Sequence, residues 1–100
     1  MSYRYVLAEH GRTLATRPLG QMLRVELIQK ASGQDVVALD FSEVASTSHS
    51  FADEFVACLA EEVERGEVDF QIHICGASPE VERVVVKALE RRSVDVPVLA

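Results

Sequence analysis

The side chains of this chain best suited to chemistry crowd into one short stretch. Ser42, Ser46, Thr47, Ser48, His49 and Ser50 all fall between positions 42 and 50, just ahead of a helical pattern that opens at Phe51. A helix start presents unpaired N–H groups and a partial positive charge, so hydroxyls there have three uses. The plainest is capping: Ser48 or Ser50 is the N-cap, and Ser50-Phe51-Ala52-Asp53 resembles a capping box with Asp in place of Glu. The second is anion binding, in which the helix start takes the phosphate of a small ligand or nucleotide. The third is modification: a phosphoserine adds a charge of about −1.5 to −2, which the helix dipole tolerates and a docked partner feels.

Other constellations are incomplete. His49 adjoins Ser48 and Ser50, but sequence neighbours rarely reach base-to-nucleophile geometry, and no Gly-x-Ser-x-Gly elbow is present. His73 and Cys75 share a strand face, yet two ligands fall short of a zinc set. Cys58 lies on a mostly buried helix and reads as packing. Gly11, Gly20, Gly33, Gly66 and Gly76 are too scattered for a phosphate loop. No acid, base and nucleophile converge, so the chain is expected not to be an enzyme, and no metal or cofactor is implied.

The elements that must carry the 42–50 stretch alternate in type. Residues 3–8 are aromatic and β-branched enough for a first strand, and His10-Gly11-Arg12-Thr13 reads as a turn. Thr16 caps a helix with Pro18 in its first turn. Leu19, Met22, Leu23, Leu27 and Ala31 recur along it, and Gly33 stops it. Val36-Val37-Ala38-Leu39 is a continuous apolar run, the pattern of a parallel strand covered on both faces. Phe51, Ala52, Phe55, Val56, Leu59 and Val63 form the stripe of the next helix, which Gly66 ends. Residues 70–75 predict a third strand. Ser78-Pro79-Glu80 predicts a helix start, with Val81, Val84, Val85, Ala88 and Leu89 as the buried stripe. Val94–Leu99 can add a short last strand, which Pro97 confines to an edge. The reading is α/β: a small sheet of about four strands in βαβαβα order, with a parallel core. In such sheets sites form where strands end and loops lead into helices, which is where 42–50 falls.

Composition bounds the partners. The 100 residues make one domain, with 48% hydrophobic and 26% charged residues. Ten Lys and Arg against sixteen Asp and Glu give a net charge of −6, which argues against nucleic acid and against anionic membrane surfaces. Two cysteines do not make a disulfide framework, no apolar run is long enough to cross a bilayer, and the first residues lack a secretory pattern. The expected setting is reducing and cytoplasmic. Asp53, Glu54 and the acids after them read as a solvated helix face or as a surface for a basic partner.

Leu39-Asp40-Phe41-Ser42-Glu43-Val44 followed by Ser48-His49-Ser50-Phe51-Ala52-Asp53-Glu54 resembles the bacterial STAS-like domain family, a domain of unknown function. Thr16-Arg17-Pro18-Leu19-Gly20 and Ala77-Ser78-Pro79-Glu80-Val81 fit it too, so the likeness spans nearly the whole chain. That family is distantly similar to STAS anti-sigma factor antagonists. The resemblance implies a regulatory module that binds a histidine-kinase-like ATPase with serine-kinase activity, or a sensor. It implies release by phosphorylation of a serine at the second helix start. By position that serine is Ser50, with Ser48 where the antagonist motif has aspartate and Phe51 where it has glycine. The contact surface it implies is Ser46, Thr47, Ser48, His49, Ser50, Asp53 and Glu54. The alternative remains a small-ligand or nucleotide-binding domain that uses the same helix start.

Overall fold

The computed structural model describes residues 1–99. Its strands are β1 (Ser2–Val6), β2 (Thr13–Leu14), β3 (Val36–Asp40), β4 (Ser46–Thr47), β5 (Gln71–Cys75) and β6 (Val98–Leu99). Its helices are α1 (Arg17–Lys30), α2 (His49–Ala52), α3 (Cys58–Glu64) and α4 (Pro79–Arg91). A π-helical turn, Asp53–Ala57, joins α2 to α3, so the three segments form one continuous central helix.

Local chemistry explains most boundaries. Thr16 accepts a hydrogen bond from Leu19 N at 3.2 Å and caps α1, and Ser78 does the same for α4 through Val81 N at 3.2 Å. Proline in the first turn of each helix donates no N–H where none is needed. The first strand ends at Val6, earlier than its aromatic run suggests. Leu7–His10 coils into a 3-10 turn that drops the Leu7 side chain fully into the core. Burial of that one leucine, worth about 2 kcal/mol, outweighs continued strand propensity there.

Four strands make one parallel sheet in the order β1-β3-β5-β6; β6 is an edge strand, shorter than the Val94–Leu99 expected, and Pro97 lies just before it. Each connection steps one strand further in the same direction. Right-handed crossovers therefore place every helix on one face. The packing agrees: α1 and α4 both lie against the central helix, forming a single helical layer. Tyr5, Val37, Leu39, Ile72 and Ile74 point into that layer and are buried. Arg4, Ala38 and His73 form one cross-strand row on the opposite side and stay partly open. The expectation that 36–39 is covered on both faces is therefore corrected. Val36 and Ala38 look like core residues in the sequence, but here they line the uncovered side, where valine and alanine cost little when half exposed.

The core runs between sheet and helices. Phe41, Phe51, Phe55 and Phe70 are its largest side chains. Tyr5 stacks on Phe55 and on His10, and its hydroxyl donates to Glu26 Oε1 at 2.8 Å, which ties β1 to α1. Gly20 on α1 lets the central helix come close. A Cβ there would lie 3.2 Å from Phe51 O and 3.3 Å from Phe55 N.

Candidate functional site

The rim at the carboxyl ends of β1, β3 and β5 is built on Asp40. Its side chain is buried, accepts from Arg4 Nη1 at 2.6 Å and from Ser42 N at 2.9 Å, and fixes the direction in which the chain leaves β3. Burial pushes this carboxyl up, but the Ser42 and Arg4 hydrogen bonds outweigh it and hold it below its ordinary range. From there the chain crosses to residues 46–50.

This stretch is not a free loop. Ser46–Thr47 pairs in parallel with Thr13–Leu14 as a second, two-stranded sheet. The pairing follows from backbone groups that need partners: Arg12 O accepts from Ala45 N, and Leu14 O accepts from Ser48 N. Two residues carry no strand signature, so the sequence alone shows only a polar linker. The side chains separate into two sets. Thr47 Oγ1 donates to Leu14 O at 2.9 Å. Ser48 Oγ donates to Ala15 O at 2.6 Å and accepts from Phe51 N at 3.0 Å. Ser48 is thus the N-cap, the helix opens at His49 rather than Phe51, and the Ser50–Asp53 capping box does not form. Ser46 makes only a long contact to Thr13 Oγ1, at 3.4 Å. Among the described residues, the Ser50 hydroxyl has no hydrogen-bond partner. Ser50 and His49 are exposed.

These roles predict opposite costs. Ser48→Ala should lower stability by about 1–2 kcal/mol, since it removes the cap and the bond that ties it to Ala15 O. Ser50→Ala should stay within about 0.5 kcal/mol of the parent, because it removes no contact. Urea unfolding of the two variants checks this, and equal midpoints would show that Ser48 does not cap the helix.

Asp53 and Glu54, expected on the contact surface, have their carboxylates turned onto arginines. Arg92 binds Asp53 with two hydrogen bonds, Nε to Oδ1 at 2.5 Å and Nη2 to Oδ2 at 2.8 Å, and Arg17 reaches Oδ2 at 2.8 Å. Arg24 donates to Glu54 Oε2 at 2.7 Å and to Glu54 O at 2.9 Å. The Arg92 hydrogen bonds, helped by Arg17, bring the Asp53 carboxyl down to about 2 against the opposing effect of burial. For Glu54, burial pushes up, and the bonds from Arg24 and Arg17 prevail and lower it. These pairs clamp the π turn between α1 and the end of α4. Asp53 and Glu54 are thus paired with arginines of the same molecule.

Cations not expected from the 42–50 stretch stand beside Ser50. Arg17, His49, Ser50, Asp53, Ala88 and Arg91 line a shallow cavity of about 250 Å³. Its neighbour, about 280 Å³, is lined by His49, Arg83, Val84, Lys87 and Arg91. The signal was present as the four-residue spacing of Arg83, Lys87 and Arg91, which places them on one stripe of α4. What the sequence lacked was the packing that sets this stripe beside the start of α2. Elsewhere, burial pushes the Cys58 and Cys75 thiols up, with Asp40 adding to the effect at Cys75, so neither favours the reactive thiolate. No helix among the described residues is long and apolar enough to cross a membrane.

A one-faced parallel sheet with a polar rim ahead of its central helix defines a small STAS-like fold. The chain belongs to the family described as STAS-like domain of unknown function (DUF4325), whose model matches residues 20–82 and so covers the central strands, the whole central helix and the start of α4. No curated protein and no solved structure matches the chain.

Proposed function

We propose that this STAS-like domain is a regulatory module. It captures a protein partner through the rim carrying Ser46, Thr47, Ser48, His49 and Ser50, and phosphorylation of Ser50 governs the capture. The observation that carries the proposal is the contrast between the two candidate serines. Ser48 is committed to the cap and to Ala15 O, whereas Ser50 is exposed, unbonded among the described residues, and beside Arg17 and Arg91. Similarity to anti-sigma factor antagonists supports a histidine-kinase-like ATPase with serine-kinase activity as partner. In the transfer, Ser50 Oγ attacks the γ-phosphorus of ATP, the bond to the ADP oxygen breaks, and the hydroxyl proton passes to a base on the kinase. The product carries about −1.5 to −2 of new charge at the rim.

The test is co-purification from the native cell with phosphosite mapping on the same sample, followed by affinity measurement with the purified partner. Ser50→Ala should bind like the parent. Ser50→Asp should bind about tenfold more weakly, and the phosphorylated form more weakly still. Equal affinity for all three forms would refute the switch.

A further inference from the structure

We infer that the partner docks an acidic segment onto the Arg83-Lys87-Arg91 stripe of α4, and that a phosphate on Ser50 shuts this site from within by engaging Arg91. The inference rests on the reading of the domain as a capture module and adds the chemistry of its partner. Among the described residues, six of the ten Lys and Arg are ion-paired: Arg4, Arg17, Arg24, Lys30, Arg65 and Arg92. Among the described residues, Arg83, Lys87 and Arg91 have no carboxylate within 4.0 Å, although Glu80, Glu82 and Glu90 lie on the same helix. Like charges four residues apart repel one another, so the helix gains nothing from this arrangement by itself. In a chain of net charge −6, the stripe is a local reversal of sign.

Its shape suits an amphipathic acidic segment. Half-buried Val84 contributes an apolar surface to the cavity among the three cations and His49, and the aliphatic stems of Arg and Lys extend it. One apolar side chain can enter while carboxylates on either side meet the cations. Arg91 and His49 also line the neighbouring cavity that holds Ser50 and Arg17. A phosphate there competes for Arg91 with the partner's carboxylates. The nearby Asp53 carboxylate does not prevent this, because Arg92 and Arg17 already neutralise it.

The test uses the full chain and four probes: a labelled short acidic peptide with a central leucine, its lysine-for-glutamate counterpart, a single-stranded oligonucleotide, and phosphatidylserine-containing vesicles. The acidic peptide alone should bind, more weakly as salt rises, and should shift the backbone amides of 83–91 and 49–50 in NMR spectra. The combined Arg83→Glu, Lys87→Glu, Arg91→Glu variant should lose at least about tenfold in affinity, whereas Arg12→Glu, at an exposed cation outside the stripe, should lose none. Lys87→Ala, expected to cost about threefold, serves if the triple variant does not fold. Absence of acidic-peptide binding, binding unchanged in the charge variants, or binding of the oligonucleotide or vesicles instead would overturn the inference. Ser50→Asp measured with the same peptide separates the two proposals. If the α4 variants weaken binding and Ser50→Asp does not, docking stands and the switch falls; the converse result removes only the docking site.

Discussion

Asp53→Asn is expected to lower the unfolding free energy by about 2–3 kcal/mol at neutral pH, a large effect for a side chain that is still partly open to solvent. The amide cannot balance the two guanidinium groups that now meet on Asp53, and Arg92 loses its two-pronged partner. The loss should depend on pH in a defined direction. The folded-state carboxyl is brought down to about 2, below its ordinary 3.8. Its contribution is therefore complete above the unfolded value and disappears as pH falls through the folded one. Between pH 5 and pH 2 the parent should lose about 1–2 kcal/mol through this group alone, and the gap between parent and Asp53→Asn should close by that amount. Denaturant titrations at stepped pH measure this. A gap constant across the range would mean that the Asp53 pairs contribute nothing. Arg92→Ala should reproduce the loss at neutral pH, because it removes the same bonds from the other side.

Gly76→Ala should cost about 2–4 kcal/mol. Gly76 turns the chain from β5 into α4 with φ of +73°, where an L side chain is strained. An added Cβ would also overlap Ser42 Oγ, lie 2.8 Å from Asp40 Oδ1 and 2.9 Å from Ser42 N. The chain leaving β3 is held by its Asp40 bond and cannot retreat without breaking it. Ser42→Gly in the same background removes only the hydroxyl overlap and should recover part of the loss, leaving the backbone contact and the strained φ. Thermal and urea unfolding of the single and double variants check both statements. A Gly76→Ala protein within about 0.5 kcal/mol of the parent would show that the two turns do not press on each other.

Much of the architecture was legible because it is written in short-range chemistry. Thr16 with Pro18, and Ser78 with Pro79, mark two helix starts that any chain with those residues would favour. The stripe from Phe51 to Val63 and the alternation of residues 70–75 predict a helix and a strand without reference to the rest of the fold. The last strand falls at a sheet edge as expected, although it is only Val98–Leu99 and Pro97 stands just outside it.

What stayed hidden depended on groups distant in sequence. The choice between Ser48 and Ser50 as cap turns on Ala15 O, 33 residues before Ser48, because a cap that also bonds a neighbouring segment outcompetes one that does not. The fate of Asp53 turns on Arg92, 39 residues away, and that of Glu54 on Arg24, 30 residues away. From the sequence, those acids could only be assigned to solvent or to a partner. The sequence by itself determined which of the longer segments are helix or strand, that they alternate, and that the hydroxyls gather ahead of the central helix, since spacing and capping act over a few residues. Only the tertiary structure decided that all helices cover one face, which serine remains free, and that the charge meeting it is positive, since ion pairing and burial belong to whichever side chains folding brings together.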